Sequence, residues 1–206
     1  MSVLVQARAE REDLLELVEG LAPEDWRTPS LCAGWTVHDV VAHVLSYDEL
    51  GPRRLASRFA QGFFLVDRVN AVGLNEYATR TPAELVELLR THLTPTGLPA
   101  GMGGAIALTD GLIHQQDIRR PLGRPRTIPA DRLVPALRTA MFGPVLRGVL
   151  RVRDVRLVAT DIDWTFGRGP EVHGTAEALL MAVAGRKAVA DELTGPGRDR
   201  VAQRLG

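Results

Sequence analysis

One eight-residue segment restricts the fold more than any other: Asp110-Gly-Leu-Ile-His114-Gln-Gln-Asp117. On a helix advancing ~100° per residue, positions 110, 114 and 117 fall within roughly 60° of arc and share one face. Ile106 and Ile113 border that stripe on one side, and Ala107 and Ile118 on the other. A polar stripe with apolar borders belongs inside a protein, since a surface stripe has polar neighbours. Burying two carboxylates and an imidazole together costs on the order of several kcal/mol unless something compensates. A divalent cation compensates directly, and carboxylate with imidazole suits zinc, iron, nickel or manganese. The i, i+4 spacing of Asp110 and His114 offers two ligands from successive turns. A third has to come from another helix, so the segment needs helical neighbours.

The rest of the first part of the chain supplies them. Residues 3–20 place Leu14, Leu15, Val18 and Leu21 at helical spacing among charges, and Gly20 and Pro23 punctuate the end. Thr36, with Asp39 three residues on, has the form of a capping box. The helix it starts runs through Val40, Val41, Val44 and Leu45, and Gly51-Pro52 kinks or ends it. Residues 53–79 read as further helix despite Gly62 and Gly73. Thr81-Pro82-Ala83-Glu84 is another start signal: a cap, proline at the first position and glutamate at the third. That helix ends near His92. A Gly/Pro-rich loop spans 94–104, and the stripe-bearing helix covers 105–119 before Pro121-Leu122-Gly123. Four main helices with modest loops predict an antiparallel bundle.

After Pro129 the pattern changes. Residues 130–150 read as helix. Val155 to Thr160 alternates as a strand does, and Asp163-Trp164-Thr165-Phe166-Gly167 pairs with it. Glu171-Val172-His173-Gly174 leads into a helix capped by Thr175. Residues 130–206 are expected to form a small α+β appendage.

Composition excludes several classes of function. The chain has 206 residues, 45% of them hydrophobic, enough for one sizeable core or for a main domain with an appendage. Its 25 basic and 25 acidic residues balance, so no charge excess points to nucleic acid or an anionic membrane. The single cysteine rules out an internal disulfide. The N-terminus opens on a charged amphipathic stretch rather than an apolar signal region, and no apolar run reaches membrane-spanning length. A cytoplasmic protein is the expectation.

His43 is the best candidate for the third ligand, at the edge of its helix's apolar face beside Val40 and Tyr47. His38 lies nearer the helix start and is expected to be exposed. His92 ends its helix, where it favours the C-terminal dipole, and His173 lies in the appendage. A bland reading stands beside the metal one. A histidine on a core-facing stripe is often just a hydrogen-bonded core residue, and Asp117 can pair with Arg119 or Arg120 at the helix end. Spacing alone leaves the two readings in balance. Cys32, between Leu31 and Ala33, is either a reactive thiol or a packed one. Trp26 and Trp35 flank it as core or loop anchors.

Trp26, then Pro29-Ser30-Leu31-Cys32-Ala33-Gly34-Trp35-Thr36-Val37-His38-Asp39-Val40-Val41-Ala42-His43, resembles the opening of the mycothiol-dependent maleylpyruvate isomerase family. That family belongs to the DinB-like metal-binding four-helix bundles. Its second-helix histidine ligand corresponds to His43. Its later acid and histidine correspond to Asp110 and His114, with a further aspartate at Asp117. Leu157-Val158-Ala159-Thr160-Asp161, Trp164, Gly169-Pro170-Glu171-Val172, Gly174, Ala176-Glu177-Ala178-Leu179-Leu180 and Gly185-Arg186 resemble the small domain that follows the bundle.

The resemblance implies a mainly α fold: a DinB-like antiparallel four-helix bundle over residues 1–125, then a small α+β C-terminal domain over 130–206. It implies a divalent metal, zinc or similar, on His43, Asp110 and His114, and mycothiol as thiol co-substrate. The implied reaction is isomerisation or thiol transfer on a small electrophilic substrate. Asp117 would orient His114 or accept a proton, and Arg119 or Arg186 would fix a substrate carboxylate. Arg186 reads equally as an ordinary helix C-terminal arginine. One departure stands out: the isomerase's acid ligand is a glutamate, and Asp110 is one methylene shorter. Either the metal shifts toward this helix, Asp117 substitutes, or the site is weak. A non-catalytic metal- or ligand-binding bundle with a regulatory or stress role is the alternative, and a metal-free scaffold is the blandest. A homodimer stays open.

Overall fold

The computed structural model describes residues 1–143, 146 and 148–205. They form two compact units, residues 1–125 and 126–206. No helix among the described residues is long and apolar enough to cross a membrane.

The first unit is built on four helices: α1 (Val3–Glu19), α2 (Val37–Leu45), α5 (Pro82–Thr91) and α6 (Ala105–Arg119). Each packs on two others, α1 on α6, α6 on α2, α2 on α5 and α5 on α1, closing a four-helix bundle. Their apolar stripes meet in one core of Leu14, Leu17, Val18, Val40, Val41, Val44, Leu45, Leu85, Leu88, Leu89 and Ile118. The two capping boxes read from sequence are present. Thr36 Oγ1 accepts from Asp39 N–H while the Asp39 side chain accepts from Thr36 N–H, and Thr81 and Glu84 repeat the arrangement. These bonds satisfy amides that a helix start leaves orphaned.

α6 is buried on nearly every side, from Ala105 to Ile118 with only Ile106 and Asp110 partly open. Gly111 makes room for α1, because a Cβ there would sit 3.1 Å from Glu10 Cγ. Two buried guanidiniums tie the outer connections down. Arg11 of α1 makes a bidentate pair with Asp48, at 2.9 and 2.8 Å, and Asp48 Oδ1 also accepts from Thr96 N–H at 2.9 Å. Arg58 belongs to the segment between α2 and α5.

That segment is not one helical stretch. It forms α3 (Pro52–Gln61) and α4 (Val66–Tyr77), folded against each other, with α4 packed on α2. The break falls where Phe63 and Phe64 adopt left-handed backbone, at φ 53° and 58°. Both residues stay exposed, at 72% and 74%. Left-handed backbone costs a residue with a Cβ roughly 1–2 kcal/mol, which is why glycine or asparagine is expected at such a turn. Neither stands at 63 or 64, but Gly62 caps α3 just before them, and a Cβ there would lie 2.5 Å from Val69 Cγ2 of α4.

The second unit holds α7 (Ala130–Phe142), α8 (Ala176–Val183), the short α9 (Arg198–Ala202) and three strands, β1 (Arg156–Ala159), β2 (Thr165–Gly167) and β3 (Glu171–Gly174). The helix expected over 130–150 is therefore shorter, and residues 144, 145 and 147 of that expectation lie outside the described residues. Residues 171–174 are a strand in their own right. The sheet order is β2-β1-β3, with β2 antiparallel and β3 parallel to β1. Leu157 and Val172 pair across β1 and β3 and are buried, and both strands pack on α8. The chain leaves β2, wraps the start of β1 and enters β3 within residues 168–170. Glycine is required here. A Cβ on Gly167 would lie 2.4 Å from Val155 O, and one on Gly169 would lie 2.5 Å from Asp154 O, with φ at 87° and 121°.

Candidate metal centre

His43 lies in the last turn of α2, and Asp110 and His114 lie on successive turns of α6, the helix α2 packs against. Asp110 Oδ1 is 3.7 Å from His43 Nε2 and 3.3 Å from His114 Nε2. One ligand atom from each residue falls within 4.8 Å of the others. The histidine side chains are 10% exposed and Asp110 35%. The carboxylate therefore marks the side open to solvent. The shorter acid still faces both imidazoles.

The donor set fits a divalent ion. Ligand atoms ~2.0–2.1 Å from a tetrahedral zinc stand about 3.3–3.5 Å from one another, close to the two distances from Asp110. The second nitrogen of His114 is also engaged: Nδ1–H donates to Asp117 Oδ2 at 2.9 Å. A carboxylate on the far nitrogen fixes ring and tautomer and leaves Nε2 as the ligating atom. Asp117 is fully buried at 0% exposure and addresses Nδ1, so it does not compete with Asp110 for the Nε2 side.

Electrostatics within the triad are strong. Burial alone would raise the Asp110 carboxyl. The charge of His114 and hydrogen bonds from His114 and His43 outweigh it and hold the acid far below the usual carboxylate range. Burial alone would lower the His114 imidazole. The charge of Asp110 and hydrogen bonds to Asp110, Asp117 and Cys32 instead hold it well above its ordinary value. Each of the two groups thus favours the charged form of the other.

The loop before α2 closes one side. Leu31 N–H donates to Asp117 O at 3.1 Å, docking the loop on α6. Ser30 Oγ donates to Trp35 O at 2.9 Å and accepts from Cys32 N–H at 3.1 Å, which tightens the turn. Trp35 then lies with its ring centroid 5.0 Å from that of His43 and 6.3 Å from that of His114. Cys32 Sγ donates to Asp117 Oδ2 at 3.1 Å and lies 3.7 Å from His114 Nδ1. The thiol is thus half-buried behind His114. On the other side, the Tyr47 ring edge faces His43 at 5.9 Å, and its hydroxyl donates to Asn70 Oδ1 at 2.7 Å.

Other expected residues go elsewhere. Arg119 is not brought to the stripe. Its Nε donates to Gln115 Oε1 at 3.1 Å and its Nη2 to Asp13 O at 3.2 Å, toward α1. Helical spacing held that signal, since nine residues at ~100° each put position 119 about 180° from position 110. Arg186 lies in the second unit, three residues past the end of α8, where its Nη1 donates to Ala184 O at 3.4 Å. His38 is half-buried rather than exposed, with Nε2 2.8 Å from Arg80 O. His92 caps α5, its Nδ1 3.0 Å from Leu88 O. The contact of Cys32 with the site was not legible, because it joins a loop to a helix some eighty residues away.

A bundle that turns two histidines and an aspartate from two packed helices toward one point has an interior competent to hold a metal ion. Residues 7–96 match the family model of the mycothiol maleylpyruvate isomerase N-terminal domain. Two solved structures share the fold: the mycothiol-dependent maleylpyruvate isomerase, at TM-score 0.61, and a histidine-to-alanine mutant of it, at 0.63. Each is 16% identical in sequence, with 94% of this chain and 91% of the other covered. No curated protein matches the chain in sequence.

Proposed function

We propose that the chain binds a divalent ion, zinc by ligand type, on His43, Asp110 and His114, and uses it with mycothiol to isomerise or thiolate a small electrophile. One observation carries the proposal: the two Nε2 atoms converge on one Asp110 oxygen at 3.3 and 3.7 Å while Asp117 holds the far nitrogen of His114. The family of residues 7–96 supplies the thiol, and the related isomerase makes maleylpyruvate the first electrophile to try.

A bound divalent ion with three protein ligands supplies a Lewis acid with an open position, where a thiol is favoured as thiolate. The chain's own residues do the rest. Asp117 orients His114 and keeps its Nδ1 protonated. Trp35 and Tyr47 both pack on His43, limiting water at the imidazole. Asp110, the more exposed of the three, leaves the site open on its side.

Elemental analysis of protein purified without an affinity tag tests the metal. The expected result is about one divalent ion per chain, lost in His43→Ala and His114→Ala. Absence of metal in the wild-type protein after incubation with zinc would sink the proposal. Mycothiol-dependent turnover of maleylpyruvate then separates an enzyme from a protein that only binds.

A further inference from the structure

Arg58 is 1% exposed, yet arginine is almost never fully buried unless paired. Its guanidinium spans three elements. Nη2 donates to Glu76 Oε2 of α4 at 2.6 Å. Nη1 donates to Ser46 O at 2.9 Å and to Ser46 Oγ at 3.2 Å. Ser46 caps the C-terminus of α2, and its Oγ–H donates to His43 O at 3.1 Å. The guanidinium carbon also lies 4.9 Å from the centre of the Tyr47 ring, whose edge faces His43. Two routes therefore lead from Arg58 to His43, one through the backbone of the last helical turn and one through an aromatic ring.

We infer that Arg58 is a positioning residue for the metal centre, fixing the last turn of α2 so that His43 meets the ligands of α6. The inference rests on the metal reading above. α2 has only nine residues and ends two past His43, so its last turn has few hydrogen bonds of its own. A cation on the terminal carbonyls suits the helix dipole and holds that turn. Space-filling alone would not select arginine, since an apolar side chain of similar volume avoids desolvating a charge. Arg58 Nε indeed has no hydrogen-bond partner among the described residues. The surroundings are shaped to the guanidinium: a Cβ at Gly73 would lie 3.0 Å from Arg58 Nη1 and 3.1 Å from Ser46 Oγ. Metal ligands need placement within about 0.5 Å, which a frayed helix end does not give.

The test uses Arg58→Met and Arg58→Lys in the full chain, read two ways. Zinc affinity comes from competition with a chromophoric chelator, well below the melting temperature. Imidazole nitrogen NMR signals come from the metal-free protein. Arg58→Met should weaken zinc binding about tenfold or more, in the range seen when a ligand's supporting partner is removed. His43 signals should move while those of His114 hold, and Arg58→Lys should recover part of both. Wild-type zinc affinity and unmoved His43 signals in Arg58→Met would overturn the inference. A wild-type protein that binds no zinc defeats the metal reading instead, and the His43 signals still decide the role of Arg58. If Arg58→Met does not fold, Ser46→Ala removes only the hydroxyl between Arg58 and the His43 carbonyl. It should move the same signals by less, and no movement there also refutes the inference.

Discussion

Asp117→Asn separates the roles of the two aspartates on α6. The substitution keeps side-chain shape and removes the charge. Asp117 Oδ2 accepts from His114 Nδ1–H at 2.9 Å and from Cys32 Sγ at 3.1 Å, in a fully buried position. An amide has one acceptor oxygen and a donor end, so it cannot reproduce both bonds without burying an amide hydrogen. The metal-free protein should lose about 1–3 kcal/mol for that group. Metal affinity carries the sharper signal. A carboxylate that orients a ligating imidazole is worth 10–100-fold in affinity, or about 1.4–2.7 kcal/mol. Chelator competition at neutral pH reads the affinity, and thermal melts in excess chelator read the fold. Asp110→Asn, which removes a proposed ligand, should weaken binding more than Asp117→Asn. The reasoning fails if Asp117→Asn binds zinc as tightly as the wild type, or if the order of the two variants is reversed.

Three further outcomes follow from geometry away from the candidate site. Arg11→Ala leaves Asp48 in place without its guanidinium, and because both side chains are buried at 3% and 1% exposure, urea unfolding should show a loss of about 3–5 kcal/mol. Burial, reinforced by the hydrogen bond to Glu49, raises the Tyr77 phenol from 10.0 to about 12. The folded chain thus favours the neutral phenol, so the stability it contributes is complete below pH 10 and is lost as pH rises toward 12. Ultraviolet titration at the tyrosinate band should show a phenol ionising well above 10, and one ionising with the free amino acid would contradict the burial. Gly169→Ala should cost more than the ~1–3 kcal/mol of its backbone region, because its Cβ also meets Asp154 O. Hydrogen exchange of the β1 amides reads that loss directly.

Much of the bundle was legible because its signals are local. The Thr36/Asp39 and Thr81/Glu84 boxes fix two helix starts to the residue, and the helix over 105–119 has the expected bounds. The stripe on that helix followed from spacing alone, and the structure brings His43 to it. What stayed hidden depends on partners distant in sequence or on backbone the residue types do not announce. Gly62 marks the α3–α4 corner, but the two phenylalanines that follow it in left-handed backbone do not announce the turn. Glu171–Gly174 is a four-residue strand with Val172 as its one apolar side chain rather than an apolar run, and in sequence it reads only as a lead into the helix after it. Arg58 reads as a surface helix residue until Glu76 and Ser46 are seen to take its charge inside.

The wrap of residues 168–170 around the start of β1 also bears on the order in which the chain acquires structure. Every strand of the sheet lies between residues 156 and 174, so the second unit closes only short loops to form it. The candidate metal centre asks for the opposite, since His43 and Asp110 are joined by a long stretch that includes α3, α4 and α5. Closure entropy grows with the length of the loop, and contacts distant in sequence form late. In a refolding chain the amides of β1 and β3 should gain protection before His43 and His114 meet. The side chains that would carry the chemistry are then among the last to find one another.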